Sequence, residues 1–237
     1  MNPLLVALDV NTAPEALALA DTLRGVAGGF KIGSRLFTAE GPSIVTRLVE
    51  RGDRVFLDLK FHDIPSTVAG AVEAATRLGV WMLNVHASGG LDMMRAAKAA
   101  ASETGAKAAA GPPLVIAVTV LTSLDQARLI DIGIAAPVAG HVARLAALAQ
   151  AAALDGVVAS PQEIAVVRAQ CGERFGIITP GIRAGADVKG DQQRTASAAG
   201  ALSAGASYIV VGRPIIAAPD PREAAERIAA QCRAAGP

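Results

Sequence analysis

Eight short runs rich in β-branched residues recur along the 237-residue chain: LLVALDV from Leu4, GGFKIG from Gly28, RVFLDLK from Arg54, VWMLNVH from Val80, LVIAVTVL from Leu114, DGVVAS from Asp155, FGIITPG from Phe175 and SYIVVGRP from Ser207. Most are apolar nearly throughout, so they read as strands buried on both faces. Between them lie Ala- and Leu-rich stretches with helical spacing, such as PEALALADTLRGV, STVAGAVEAATRLG, VAGHVARLAALAQAAA and PREAAERIAAQCRAA. Parallel strands need a crossover, and helices supply it while covering the sheet. Eight such units in about 230 residues predict an α/β fold, a closed (β/α)8 TIM barrel. A doubly wound open sheet is the rival, but no G-x-G-x-x-G follows the first strand to support it.

No fixed-period repeat, low-complexity tail or Pro/Ser-rich linker divides the chain, so we expect a single domain over residues 1–237. AKAAAGPPL from Ala106 reads as a helix end and a turn into the fifth strand. Hydrophobic residues make up 52% and aromatics only 3%, which implies a large core of small aliphatic side chains. The net charge of +1 offers no basic field for nucleic acid or an acidic membrane. An anionic ligand would have to be held by a few local groups. Cys171 and Cys232 read as unpaired thiols of a reducing compartment. MNPLLVALDV has neither a basic leader nor a long apolar run, and no segment reaches membrane-spanning length, so a cytoplasmic protein is expected.

The unusual polar residues fall at the carboxyl ends of the predicted strands. Asp9 follows the first, Lys31 sits on the second, Asp58 and Lys60 on the third and His86 on the fourth. Thr122 follows the fifth, Arg183 the seventh, and Gly212 and Arg213 the eighth. A barrel gathers all these ends on one face, where such folds place their active sites. Asp58 and Lys60 are two apart, so a regular pleat would point both into the barrel and Leu59 outward. An isolated D-x-K also fits a plain ion pair at a strand end. Lys31 and Asp9 on neighbouring strands change that balance, because a buried cluster of alternating charges is costly to keep without a use.

Asp63 lies beyond the third strand, and Pro65 suits the start of the next helix, so Asp63 is free to point elsewhere. GRP after the eighth strand would let an anion approach backbone amides beside the Arg213 fork. TPGIRAGADVKGDQQR after the seventh strand has the length and composition of a lid, with Gln192 placed to donate to the same anion. His62 reads as a neutral packing or hydrogen-bonding residue beneath the third strand and His141 as a surface or hydrogen-bonded one, while Met93 and Met94 read as packing residues or dimer contacts and Trp81 as an anchor of core or interface. No histidine has a second ligand at metal-binding spacing.

Together, ALD at 7–9, FKIG at 30–33, DLKFHDIPST at 58–67, NVHASGG at 84–90, LTS at 121–123, TPGIR at 179–183, DQQR at 191–194 and VGRPI at 211–215 resemble the orotidine 5′-phosphate decarboxylase family, nearly end to end. The resemblance implies a homodimeric barrel without metal or organic cofactor that converts orotidine 5′-phosphate to uridine 5′-phosphate (UMP) and carbon dioxide, the last step of pyrimidine nucleotide synthesis. It implies a charge network of Lys31, Asp58, Lys60 and Asp63, with Lys60 stabilising and protonating the C6 carbanion and Asp58 near the departing carboxylate. Asp63 and Thr67 would reach into the partner's site. Asp9 and Lys31 would hold the ribose, Thr122 the pyrimidine region, and Gln192, Gly212 and Arg213 the phosphate, with Arg183 on the mobile phosphate-side loop. Ala184 stands where the family usually has proline, and the 191–202 segment also departs from the family pattern. Both changes concern lid closure rather than the reaction.

The nearest alternative is a magnesium-dependent sugar-phosphate decarboxylase or aldolase of the same barrel superfamily. Such enzymes share D-x-K-x-x-D but carry an acidic residue where this chain has Lys31. A phosphate-binding barrel without catalysis is the other alternative, and it would require a broken site. Every charged position of the network is filled.

Overall fold

The computed structural model describes residues 2–108, 110–182 and 196–234. All eight predicted strands are present: β1 (Leu4–Ala7), β2 (Gly29–Gly33), β3 (Val55–Phe61), β4 (Met82–His86), β5 (Leu114–Val118), β6 (Gly156–Val158), β7 (Gly176–Thr179) and β8 (Tyr208–Val211). Each pairs in parallel with the next, and β8 pairs with β1, so the sheet closes into a barrel. Helices fill the crossovers, including Ala13–Leu23, Pro65–Arg77, Gly90–Gly105, Val138–Ala151 and Pro221–Ala234. Their starts obey the local chemistry: Thr12 caps the first through its side chain, and Pro65 occupies the first turn of the second, where its missing N–H costs nothing.

Pleating divides the apolar side chains into two layers. The outer one lies between strands and helices and takes up Val6, Ile32, Leu57, Leu83, Val115 and Val157 against Ala16, Leu48, Val72, Met94 and Ala146. Met93 and Met94 belong to it and are packing residues. The inner one fills the barrel with Leu5, Ala7, Phe56, Met82, Ile116, Ile178 and Val210. Each large aliphatic side chain buried there contributes roughly 1.5–3 kcal/mol.

At the amino-terminal end the interior is plugged by Trp81 and Tyr208, whose rings meet edge to face at 5.3 Å, with the Arg54 guanidinium 5.6 Å from the Trp81 ring centre. Trp81 is thus part of the barrel floor. Between β6 and β7 the backbones run so close that a Cβ on Gly156 would lie 2.3 Å from the Gly176 carbonyl oxygen, which leaves only glycine there. Cys171 and Cys232 are both free thiols. Among the described residues, no helix is long and apolar enough to cross a membrane.

Candidate active site

The inward rows of the strands change character along the barrel axis. On β1 the row reads Leu5, Ala7 and then Asp9; on β3, Phe56 and then Asp58; on β4, Met82, Asn84 and His86. The floor is apolar and the carboxyl-terminal mouth is charged.

Register explains how Lys31 joins the mouth. Its backbone pairs with Ala7 and Phe56, one layer below the two aspartates, because Asp58 pairs with Gly33. The long Lys31 stem climbs that layer, and its ammonium lies 3.2 Å from both Asp9 Oδ1 and Asp58 Oδ2. The space it enters is left by Gly33, where a Cβ would stand 3.0 Å from Lys31 Nζ. Lys60 Nζ completes the row 2.6 Å from Asp58 Oδ1. Side-chain exposure rises from 10% at Lys31 and 13% at Asp58 to 34% at Lys60 and 47% at Asp9. A ligand therefore meets Lys60 and Asp9 first.

Burial opposes charge on Lys31, yet Asp58 and Asp9 more than offset it and hold the ammonium above the ordinary lysine range. Burial likewise pushes Asp58 up, but Lys31, Lys60 and the hydrogen bonds from Lys60 and Asn84 hold its carboxyl below the usual range. The interior charges are kept charged by one another.

Regular pleating does not bring Asp58 to Lys60. Leu57 pairs with Leu83 and Phe61 with Val85, so four steps along β3 match two along β4. Lys60 sits inside that bulge with φ at +55°, a left-handed conformation that costs a non-glycine residue about 1–3 kcal/mol. The two side chains converge across the bulge, while Leu59 still faces the outer core. Asn84, fully buried on β4, accepts from the Lys60 N–H at 2.8 Å and donates to Asp58 Oδ1 at 2.7 Å. Sequence reading assigned no role to Asn84 or Gly33. The available signals were a polar residue on an otherwise apolar inward row and a glycine two places beyond a buried lysine.

The remaining candidates divide. Gly212 follows β8 beside this cluster, where a Cβ would lie 3.6 Å from Asp9 Oδ2. Arg213 is exposed at the start of the helix Arg213–Ile216, and Thr122 is half-buried in the turn after β5. Asp63 and Thr67 are exposed, as is all of 62–67. Among the described residues Asp63 has no ion-pair partner, and its carboxylate accepts from its neighbour Ile64 at 2.6 Å. Arg183 and Gln192 lie outside the described residues.

His62 is not packed beneath β3. It is exposed, with its ring 5.4 Å from that of His86, because the chain has already left the barrel at Phe61. Burial, His62 and Lys60 together lower the His86 pKa, which favours a neutral ring. His141 is half-buried and, among the described residues, has no hydrogen-bond partner at Nδ1, rather than being exposed or satisfied. Two cavities of about 620 and 280 Å³ open at the amino-terminal end of the barrel, near Asp155 and Arg24, and contain none of the charged row.

The model of the orotidine 5′-phosphate decarboxylase / HUMPS family matches residues 2–228. The chain belongs to that family. Among its relatives, the orotidine 5′-phosphate decarboxylase of Moorella thermoacetica is 55% identical over 96% of this chain and 91% of its own length. That of Halorhodospira halophila is 54% identical over 98% and 97%. The crystal structure of orotidine 5′-phosphate decarboxylase from Lactobacillus acidophilus superposes with a TM-score of 0.87 at 35% identity, covering 98% of this chain and 99% of that one. An uncharacterized conserved protein from Geobacillus kaustophilus superposes with a TM-score of 0.84 at 37% identity, covering 97% and 100%. The closed barrel is thus an architecture the chain shares with both solved structures.

Proposed function

We propose that the chain decarboxylates orotidine 5′-phosphate to UMP and carbon dioxide, as the last step of pyrimidine nucleotide synthesis in the cytoplasm, with residues 1–237 acting as one domain. The observation that carries this reading is the row of alternating charge across the barrel mouth, Asp9, Lys31, Asp58 and Lys60. Relatives covering nearly the whole chain are named for the same activity.

Breaking the bond from C6 to the carboxylate leaves an electron pair in the plane of the pyrimidine ring, where the π system stabilises it poorly. An ammonium beside C6 lowers that barrier electrostatically and then supplies the proton that replaces carbon dioxide. Lys60 has the required exposure, and Asp58 keeps it oriented. Asp58 also faces the side from which the carboxylate leaves. The charge and the proton both come from side chains, so the proposed reaction uses no metal or organic cofactor. Asp9 and Lys31 hold the ribose hydroxyls, Thr122 the pyrimidine, and Gly212 and Arg213, with Gln192 and Arg183, the phosphate. The exposure of Asp63 and Thr67 supports a homodimer in which both complete the partner's site.

The test is release of carbon dioxide from orotidine 5′-phosphate by the purified protein in excess chelator, beside Lys60→Ala. Rapid release, reduced by at least about 10³-fold in the variant, is expected. Release only with added magnesium, or only from a sugar-phosphate acid, would overturn the reading in favour of the other branch of the family. Lys31 stands against that branch, since it places an ammonium where a cation site needs an oxygen donor.

A further inference from the structure

We infer that Asn84 is a positioning residue for this reaction, acting on Lys60 and Asp58 together. The inference rests on the proposed role of Lys60.

Lys60 and Ala153 are the non-glycine residues with left-handed backbone among the described residues, and Lys60 is the one at the barrel mouth. The bulge that puts it there removes Lys60 from the β3–β4 ladder, since the register passes directly from Leu57–Leu83 to Phe61–Val85. A strand interrupted in this way leaves an N–H without its ladder partner, and the Asn84 side chain takes it at 2.8 Å. The same amide donates to Asp58 Oδ1 at 2.7 Å. Only one orientation of the amide satisfies both bonds, with its oxygen toward the N–H and its nitrogen toward the carboxylate.

Asn84 therefore holds the main chain of Lys60 and also the carboxylate that directs the Lys60 ammonium. Asp58 Oδ1 receives Asn84 Nδ2 and Lys60 Nζ, while Oδ2 faces Lys31, which fixes the plane of the carboxylate. The full burial of Asn84 gives its amide no solvent to exchange with. Of the groups expected to bind ribose and phosphate, Asp9, Gly212 and Arg213 make no hydrogen bond to this side chain among the described residues, and Lys31 keeps Asp9 as a second partner at 3.2 Å. Removal of the Asn84 amide should misplace the catalytic ammonium and leave ligand binding largely intact, and a misplacement of about 1 Å can cost about 10²-fold in rate.

The experiment measures kcat and KM for orotidine 5′-phosphate, and the Kd of UMP, in Asn84→Ala and Asn84→Asp, with Lys60→Ala alongside. Asn84→Asp preserves size and the acceptor for the Lys60 N–H but sets a carboxyl oxygen against Asp58 Oδ1, so it reports on that contact even if Asn84→Ala folds poorly. We expect kcat to fall by about 10²-fold in both variants, with KM and the UMP Kd within about threefold of the unaltered chain. A folded variant that binds UMP and keeps kcat within threefold would overturn the inference. So would equal losses in kcat and UMP affinity, which would mark Asn84 as merely structural. Lys60→Ala separates the two readings, because undiminished turnover in that variant would sink the role of Lys60 itself.

Discussion

Lys31 enters the barrel one layer below Asp58, yet its ammonium lies 3.2 Å from the Asp58 carboxylate because Gly33 leaves the intervening space open. Gly33 has an extended backbone, with φ at −94° and ψ at 177°, that alanine adopts without strain. The new methyl group would meet only the ends of two side chains, Lys31 Nζ at 3.0 Å and Asp9 Oδ1 at 3.4 Å. Gly33→Ala should therefore change unfolding free energy by less than about 1 kcal/mol while lowering kcat/KM by about 10- to 100-fold. Chemical denaturation and steady-state kinetics on one preparation check both halves.

The charged row also sets a pH window for stability. Asp58 titrates below its unfolded value, so its contribution is present above the ordinary aspartate pKa and is lost as pH falls through the folded value. Lys31 titrates above its unfolded value, so its contribution is present below the ordinary lysine pKa and is lost as pH rises through the folded one. Unfolding free energy should show a plateau between about pH 5 and pH 9 from these two groups. In Asp58→Asn the acid limb should flatten, and stability at neutral pH should fall by about 3 kcal/mol as Lys31 and Lys60 lose their shared counter-ion. Urea titrations at a series of pH values would reveal an unchanged acid limb if the assignment is wrong.

Arg168 fastens the opposite end of the barrel. Its guanidinium donates to the carbonyls of Gly172, Glu173, Phe175 and Gly205 and to Ser207 Oγ, just before β7 and β8 begin. Arg168→Ala strands several of these acceptors and should cost about 3 kcal/mol, or roughly 6–12 °C in Tm. The charged row lies at the other end, so turnover at 25 °C should stay within about twofold. A large loss of kcat in the folded variant would show coupling along the barrel axis that the contacts do not contain.

If Asp63 serves the partner's site, two inactive chains should repair one another. In a heterodimer of Lys60→Ala and Asp63→Asn chains, one site holds both altered residues and the other holds neither. Mixing equal amounts under exchange conditions should restore up to about a quarter of the original turnover, since half the dimers are mixed and each has one intact site. If Asp63 acts within its own chain, mixing restores nothing.

The strands could be located because parallel barrel strands are buried on both faces and so appear as uninterrupted apolar runs; all eight fall where RVFLDLK and its counterparts place them. Asp9, Lys31, Asp58 and Lys60 stood out for the same reason, as charges that interrupt or end such runs. Closure of the sheet then gathers residues 51 positions apart, from Asp9 to Lys60, into one row. His62 was misplaced because nothing in the local pattern tells which way the chain turns once it leaves the barrel at Phe61, and the structure turns it out to solvent.

Pattern alone therefore determined the barrel and the identity of the charges at its mouth, since hydrophobic periodicity and strand order are properties of the chain. Only the tertiary structure decided how those charges meet. The bulge at Lys60, the space at Gly33 and the double hydrogen bond of Asn84 each depend on the register between neighbouring strands, which closure of the whole barrel sets and no local stretch encodes.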